Sequence, residues 1–294
     1  MTDDYAIELR GVSKRFKGFA LKDVTFQLPR GYIGGLIGPN GAGKTTIIKT
    51  IMNLVRPDAG EVKVFGLDIR RHEAEIKSRI GFVYDVPGYW DDMSLSAHRR
   101  ALAPFYPQWS DETFARLAAA FALPLGARYK TLSHGMQTKF ALAMALSHGA
   151  DLLIMDEPTA GLDPIFRREL LQRLAGLLQD EGKSILFSTH ITSDLARIAD
   201  FITLVRGGEI ALSMGKDELL DTWAIARGDA GLLARLDPAT VRGARRRPFG
   251  VEVLVSDAGA ARRALGAGAV IDKPTLDDVM VLMTDVTGET AHAA

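Results

Sequence analysis

The stretch Gly38-Pro39-Asn40-Gly41-Ala42-Gly43-Lys44-Thr45-Thr46 decides the fold. Before it runs a short apolar segment, Tyr32-Ile33-Gly34-Gly35-Leu36-Ile37, and after it Ile47 to Leu54 carries apolar residues at helical spacing. The pattern predicts a strand, a glycine loop and a helix in that order. A glycine loop that curls over a helix N-terminus turns several backbone N–H groups inward, and the helix dipole adds partial positive charge there. Such a site suits phosphate. Gly38, Gly41 and Gly43 let the backbone approach phosphate oxygens with no Cβ in the way. Lys44 can reach the β- and γ-phosphates, and the Thr45 hydroxyl is left to hold Mg²⁺. The whole loop, with Pro39, Asn40, Ala42 and Thr46, is read as nucleotide-binding.

Upstream, Ala6 to Arg10 and Asp23 to Leu28 alternate as paired strands do, with the turn-rich polar stretch Val12 to Gly18 between them. Phe16 in that stretch could stack on an adenine ring or sit beneath a hairpin. Downstream, Gly60 to Gly66 reads as an alternating strand and Arg79 to Tyr84 as a buried one. From there to about Leu146 the β pattern fades. A helix over Asp111 to Ala122 shows one apolar face of Phe114, Leu117, Ala118 and Phe121, with Ser110 placed as its N-cap. This is a helical insertion between two strands of one sheet. Next comes Leu152-Leu153-Ile154-Met155-Asp156-Glu157, an apolar strand ending in two carboxylates. Ligands of open α/β sheets bind beyond the carboxyl ends of strands, so both acids fall near the phosphates. Neighbouring strand residues point to opposite sides, so the two divide the work. Asp156 is the Mg²⁺ partner and Glu157 polarises the attacking water.

Composition bounds the rest. The chain of 294 residues is 47% hydrophobic, has 36 basic and 36 acidic residues, and contains no cysteine. Zero net charge gives no global field toward nucleic acid, and the absence of cysteine removes disulfides, thiolate metal sites and thiol catalysis. The acidic start Met1-Thr2-Asp3-Asp4 lacks the apolar core of a secretory signal, and no run reaches the roughly 18 apolar residues of a membrane span.

Three further stretches give the chain its resemblance to a family. Leu132-Ser133-His134-Gly135-Met136-Gln137 resembles the signature sequence of the ATP-binding cassette (ABC) ATPases, Ala160-Gly161-Leu162-Asp163 their D-loop, and Ser188-Thr189-His190 their switch histidine. With the two phosphate-site motifs, the resemblance covers residues 5 to 213. It implies ATP and Mg²⁺ as ligands and a head-to-tail pair of cassettes, a homodimer or a heterodimer with a paralogue. Ser133 and Gly135 of one cassette would then meet the γ-phosphate held by the other. It also implies that His190 contacts that phosphate and holds Glu157 and the water in line, that Asp163 couples the two sites, and that Phe16 stacks on adenine. Asp85 stands where the family usually has a glutamine that touches Mg²⁺ and the water. His134 and Met136 replace the usual Gly and Gln, which resembles an exporter-type branch.

The fold expected is therefore α/β: a P-loop NTPase of the ABC ATPase kind with an antiparallel β subdomain, a helical subdomain at about 86–147 and a small C-terminal α/β accessory domain. The cassette spans 1–213 and the accessory domain 214–294. In the latter, Val251 to Val255 reads as a strand, Asp257 to Leu265 as a helix, and a last helix starts at Thr275 with Asp278 closing a capping box. Arg242, Arg245, Arg246 and Arg247 read as a solvated hairpin or a site for an anionic partner. The expected function is ATP hydrolysis that drives transport by separate integral membrane permease subunits, at the cytoplasmic, inner face of the membrane. A soluble ABC-type ATPase acting on ribosomes or nucleic acid is the alternative.

Overall fold

Alternating apolar residues in the first thirty positions form two long antiparallel strands, β1 (Tyr5–Phe16) and β2 (Phe19–Pro29). After β3 (Ile33–Ile37), β4 (Ala59–Val64) and the short β5 (Leu67–Asp68) complete an antiparallel sheet of order β2-β1-β4-β5. The computed structural model describes residues 4–84, 88–178, 183–248, 250–266 and 269–284. β1 corrects one expectation: it continues through the polar stretch that composition marks as turn. The register shifts beside Val12, and Asp58 accepts from Lys14 Nζ at 2.7 Å and from the Arg15 backbone N–H at 2.9 Å. Polar side chains are thus paired along an exposed strand instead of breaking it.

A second sheet holds β3, β6 (Ile80–Val83), β7 (Leu152–Asp156), β8 (Ser184–Thr189), β9 (Phe201–Arg206) and β10 (Glu209–Gly215), in the order β10-β9-β3-β8-β7-β6. All its pairings are parallel except the β9–β10 hairpin, which turns at Gly207-Gly208. A parallel sheet covered on both faces wants apolar residues at every position. β3 and β7 are buried throughout, and so is β8. One face packs Leu36, Ile154 and Leu186 with Ile47, Ile48 and the antiparallel sheet; the other packs Ile37, Met155 and Phe187 with Phe140, Leu170 and Leu195.

Between β6 and β7 lie the helices Leu95–Leu102, Asp111–Ala120 and His134–Leu146. Ser110 caps the second, its Oγ accepting from Thr113 N–H at 3.0 Å, and Phe114, Leu117, Ala118 and Phe121 are all buried. Among the described residues no helix is long and apolar enough to cross a membrane.

The last strands, β11 (Ala224–Gly228), β12 (Val241–Arg247), β13 (Gly250–Val255) and β14 (Val270–Asp272), form an antiparallel sheet of their own, ordered β12-β13-β11-β14. The final helix, Leu276–Thr284, carries the expected box: Asp278 accepts from Thr275 N–H at 2.9 Å, and Thr275 Oγ1 accepts from Asp278 N–H at 3.1 Å. The arginine cluster lies along β12, one strand of the antiparallel β12–β13 hairpin, with Arg242, Arg246 and Arg247 exposed. Arg245 and Arg247 donate to Glu252 Oε2 at 2.9 and 2.8 Å, and Arg227 donates to its Oε1 at 2.9 Å. Burial alone raises the Glu252 pKa, but the three guanidinium hydrogen bonds outweigh it and bring it down to about 2. A depressed carboxylate pKa stabilises the fold above the ordinary value of 4.5 and loses that contribution as pH falls toward 2. Glu252→Gln is therefore expected to melt a few degrees below wild type at pH 7, the gap closing through that acid window in calorimetric scans. A gap independent of pH would contradict it.

Candidate active site

The phosphate loop is built on two close approaches. Gly38 has φ 153°, and a Cβ there would lie 2.3 Å from the Val205 carbonyl oxygen at the end of β9. Gly43 has φ 117° and immediately precedes the helix Lys44–Ile51; a Cβ there would meet Leu21 and Phe19 at 3.0 Å. Glycine is the residue both positions demand. Ala42 N–H donates to Pro39 O at 3.1 Å and Gly208 N–H to Ala42 O at 2.9 Å, which fixes the loop against the β9–β10 turn. No side chain caps the helix, so its first N–H groups are left for an anion.

Around this loop six side chains converge. Lys44 is 6% exposed; its Nζ donates to Gly38 O at 2.8 Å and lies 3.4 Å from Glu157 Oε1. Thr45 Oγ1 donates to Asp156 Oδ2 at 2.7 Å, while Ser188 Oγ donates to Asp156 Oδ1 at 2.5 Å. Asp156 is thus held at both oxygens and buried. Glu157 turns the other way: its Oε2 lies 2.9 Å from His190 Nδ1 and 3.3 Å from His190 N. An ionised carboxylate only accepts, so His190 carries a proton on Nδ1 in this contact. The Glu157 backbone stands at φ 49°, a left-handed conformation that costs a residue with a side chain. It is held by Glu157 N–H to Ser188 O and by Ala160 N–H to Glu157 O, both 3.0 Å.

The cradle fits a nucleoside triphosphate with Mg²⁺. Among the described residues no three His, Cys, Asp or Glu side chains converge as a cage. Thr45 and Asp156 instead offer a hard oxygen pair, which suits a cation that keeps waters and phosphate oxygens as its other ligands. Phe16, 43% exposed, ends β1 with its ring 6.3 Å from that of Phe19. Asp85 lies outside the described residues.

Ser133, Gly135 and Asp163 stand apart from this cluster. Ser133 caps the helix His134–Leu146, accepting from Met136 N–H at 3.4 Å. Asp163 caps the helix Pro164–Leu177, accepting from Ile165 and Phe166 N–H at 3.1 and 2.9 Å. Among the described residues no hydrogen bond joins Ser133 or Gly135 to the phosphate loop. Gly135 borders Leu162 and Gly161 borders His134, so the two motifs adjoin, and Ile165 beside them is 82% exposed.

A family model described as "ABC transporter" matches residues 21–160. The ABC transporter ATP-binding protein NatA of Bacillus subtilis (strain 168) is 33% identical over 215 residues, which is 69% of this chain and 87% of that protein. The chain belongs to the ABC transporter ATP-binding family. The bacitracin transport ATP-binding protein BcrA of Enterococcus faecalis is 30% identical to this ABC cassette over 74% of the chain and 72% of its own length. The probable multidrug ABC transporter ATP-binding protein YbhF of Escherichia coli (strain K12) is 32% identical over 72% of this chain, which spans only 38% of that relative's length. Among solved structures, an ATP-binding subunit of an ABC transporter matches with a TM-score of 0.67 at 28% identity, covering 74% of this chain and 92% of its own. A dimeric bacterial ABC transporter cassette matches at 0.63 and 25% identity, covering 71% and 98%. The fold is accordingly the α/β P-loop NTPase of ABC cassettes.

Ser188 carried no expectation of its own, although it lies within the Ser-Thr-His string. It follows the apolar run Ile185 to Phe187, and the β7–β8 register sets it opposite Asp156.

Proposed function

We propose that this ABC cassette hydrolyses ATP within a head-to-tail pair of cassettes and so drives transport by separate integral membrane permease subunits. The observation that carries this reading is the division of the machinery: Lys44, Thr45, Asp156, Glu157 and His190 gather at the phosphate loop, whereas Ser133 and Gly135 begin a separate helix to which, among the described residues, the loop makes no hydrogen bond. One chain then holds the triphosphate and a second supplies the covering donors.

In this reading the loop N–H groups and Lys44 bind the β- and γ-phosphates, and Phe16 stacks on the base. Thr45 and Asp156 would hold Mg²⁺, with Asp85 as a further candidate; the cation neutralises charge on the phosphate oxygens. Glu157 accepts a proton from the attacking water, and His190, through its bond to Glu157, keeps that carboxylate aimed at the γ-phosphate. Asp163, beside the covering helix, couples the two sites.

The division into a cassette at 1–213, with its helical part at 86–147, and an accessory domain at 214–294 belongs to the same proposal. So does a cytoplasmic position on the inner membrane face. A groove of about 450 Å³ between the sheet and the helical insertion is lined by Lys49, Phe82, Tyr84, Tyr89, Trp90 and Tyr106. It supports contact with a permease, whose apolar surface it would accept. A complete motif set permits two active sites in a homodimer.

ATPase measurements test the split site. Ser133→Ala removes one hydrogen bond to a charged phosphate, about 1.5–3 kcal/mol, so turnover is expected to fall roughly 10- to 100-fold. Full-rate hydrolysis by a strictly monomeric preparation of that variant would overturn the pairing.

A further inference from the structure

Asp194 is 2% exposed, lies on the short helix Thr192–Ile198 that follows His190, and has no place in the chemistry described above. Its two oxygens are fully committed. Oδ2 accepts from Thr159 Oγ1 at 2.7 Å, and Oδ1 accepts from the Arg167 guanidinium at 2.7 Å. Thr159 is itself 2% exposed, and Arg167 also reaches Ser193 Oγ at 3.2 Å. A buried carboxylate is costly to keep and is weak evidence for stability, since well-packed apolar residues would serve that purpose as well. Its value has to be sought in what it aligns.

Three segments meet at this carboxylate, and all three belong to the proposed site. Thr159 lies two residues past Glu157 on the loop leading to Asp163. Asp194 lies four residues past His190. Arg167 sits in the first turn of the helix that Asp163 caps, its own N–H bonded to Asp163 O at 2.9 Å. The loop after β7 and the segment after β8 are therefore tied by two rungs. The outer rung is Glu157 with His190, whose ring is about half exposed; the inner rung is Thr159 with Asp194, buried. Glu157 holds a left-handed backbone conformation, which persists only where its surroundings over-determine it.

We infer that Asp194 is a positioning residue for hydrolysis: by clamping Thr159 and Arg167 it locks the Glu157 loop to the His190 segment and holds the carboxylate on the line of the attacking water. Among the described residues no hydrogen bond joins the clamp to the phosphate loop, so it governs turnover and leaves nucleotide binding to Lys44 and Thr45. It rests on the ATPase reading above. A displacement near 1 Å at a reacting group can cost about 10²-fold in rate, which sets the scale of the effect.

The test is steady-state hydrolysis of MgATP by the full chain. Thr159→Val is close to isosteric and leaves the Asp194–Arg167 pair intact. It is expected to lower kcat roughly 10- to 100-fold, with KM within about threefold of wild type. Thr159→Ser, which restores the hydroxyl, returns kcat to within about threefold of wild type, and combining Thr159→Val with Asp194→Asn costs no more than the worse single change, as for residues acting as a unit. If Thr159→Val does not fold, judged by circular dichroism, Asp194→Asn alone is expected to give the same loss of kcat at unchanged KM. A kcat loss below about fivefold, a loss matched by a rise in KM, or no rescue by serine overturns the inference. A wild-type protein that hydrolyses no ATP removes the ATPase reading itself, whereas an active wild type with an equally active Thr159→Val removes only the clamp.

Discussion

Glu157→Gln is expected to lower ATP turnover by about 10²- to 10⁴-fold, the range a positioned general base supplies. The substitution changes little else. Gln has the same length and the same backbone preferences, so the left-handed turn at φ 49° is no harder to hold than with Glu. The amide oxygen can still accept from His190 Nδ1, now at 2.9 Å from Glu157 Oε2. What disappears is the ability to take a proton from water. Lys44 loses its ion-pair partner 3.4 Å away but keeps its bond to Gly38 O, and Thr45 and Asp156, the groups proposed to hold Mg²⁺, are unchanged, so ATP should still bind and close the proposed pair of cassettes. Because hydrolysis is what reopens it, the closed dimer should accumulate. Size-exclusion chromatography with MgATP is expected to show a dimer in the variant and far less of it in wild type. An unchanged steady-state rate would remove Glu157 from the role assigned to it.

The parts of this molecule that were legible in the sequence share a physical property: they are local. The phosphate loop reads directly because glycine positions and a Lys-Thr pair must be contiguous to wrap an anion. β3 and β7 read directly because a strand buried on both faces has no room for polar residues except at its ends, where Asp156 sits. Helix caps at Ser110 and Thr275 are likewise three-residue affairs. What could not be read depends on partners far along the chain. The polar end of β1 pairs with β2, Lys14 opposite Leu21 and Arg15 opposite Ala20, and Asp58 adds bonds from over forty positions away. Arg245 and Arg247 of β12 are ordered by Glu252 on the neighbouring strand, a partner their own spacing does not name. Short strands such as β14, three residues long, carry too few positions for alternation to show. No motif marks Asp194, and its burial against Thr159 and Arg167 emerges only when a loop and two helices meet.

Lys44→Ala should weaken nucleotide binding through two separable effects. The first is loss of donors: Lys44 sits buried at the helix start with its ammonium on the loop carbonyls, within reach of phosphate oxygens. One charge-assisted hydrogen bond is worth about 1.5–3 kcal/mol, or roughly 10- to 100-fold in Kd. The second is electrostatic. Glu157 Oε1 lies 3.4 Å from the ammonium, so without Lys44 the carboxylate faces the triphosphate with no cation between them. Two like charges about 4 Å apart repel by about 4 kcal/mol at the effective dielectric of a partly exposed site. Together these place the affinity loss above the upper end of the first range, and titration calorimetry with ATP measures it. Alanine keeps the helix N-terminus intact, so the ligand-free melting temperature should move little while the ATP-induced rise disappears. The two effects part in the double variant Lys44→Ala with Glu157→Gln. Neutralising the carboxylate should recover the repulsive share, making the double variant bind ATP more tightly than Lys44→Ala alone. Wild-type affinity in the single variant would mean that residues 38–46 do not hold the phosphates at all.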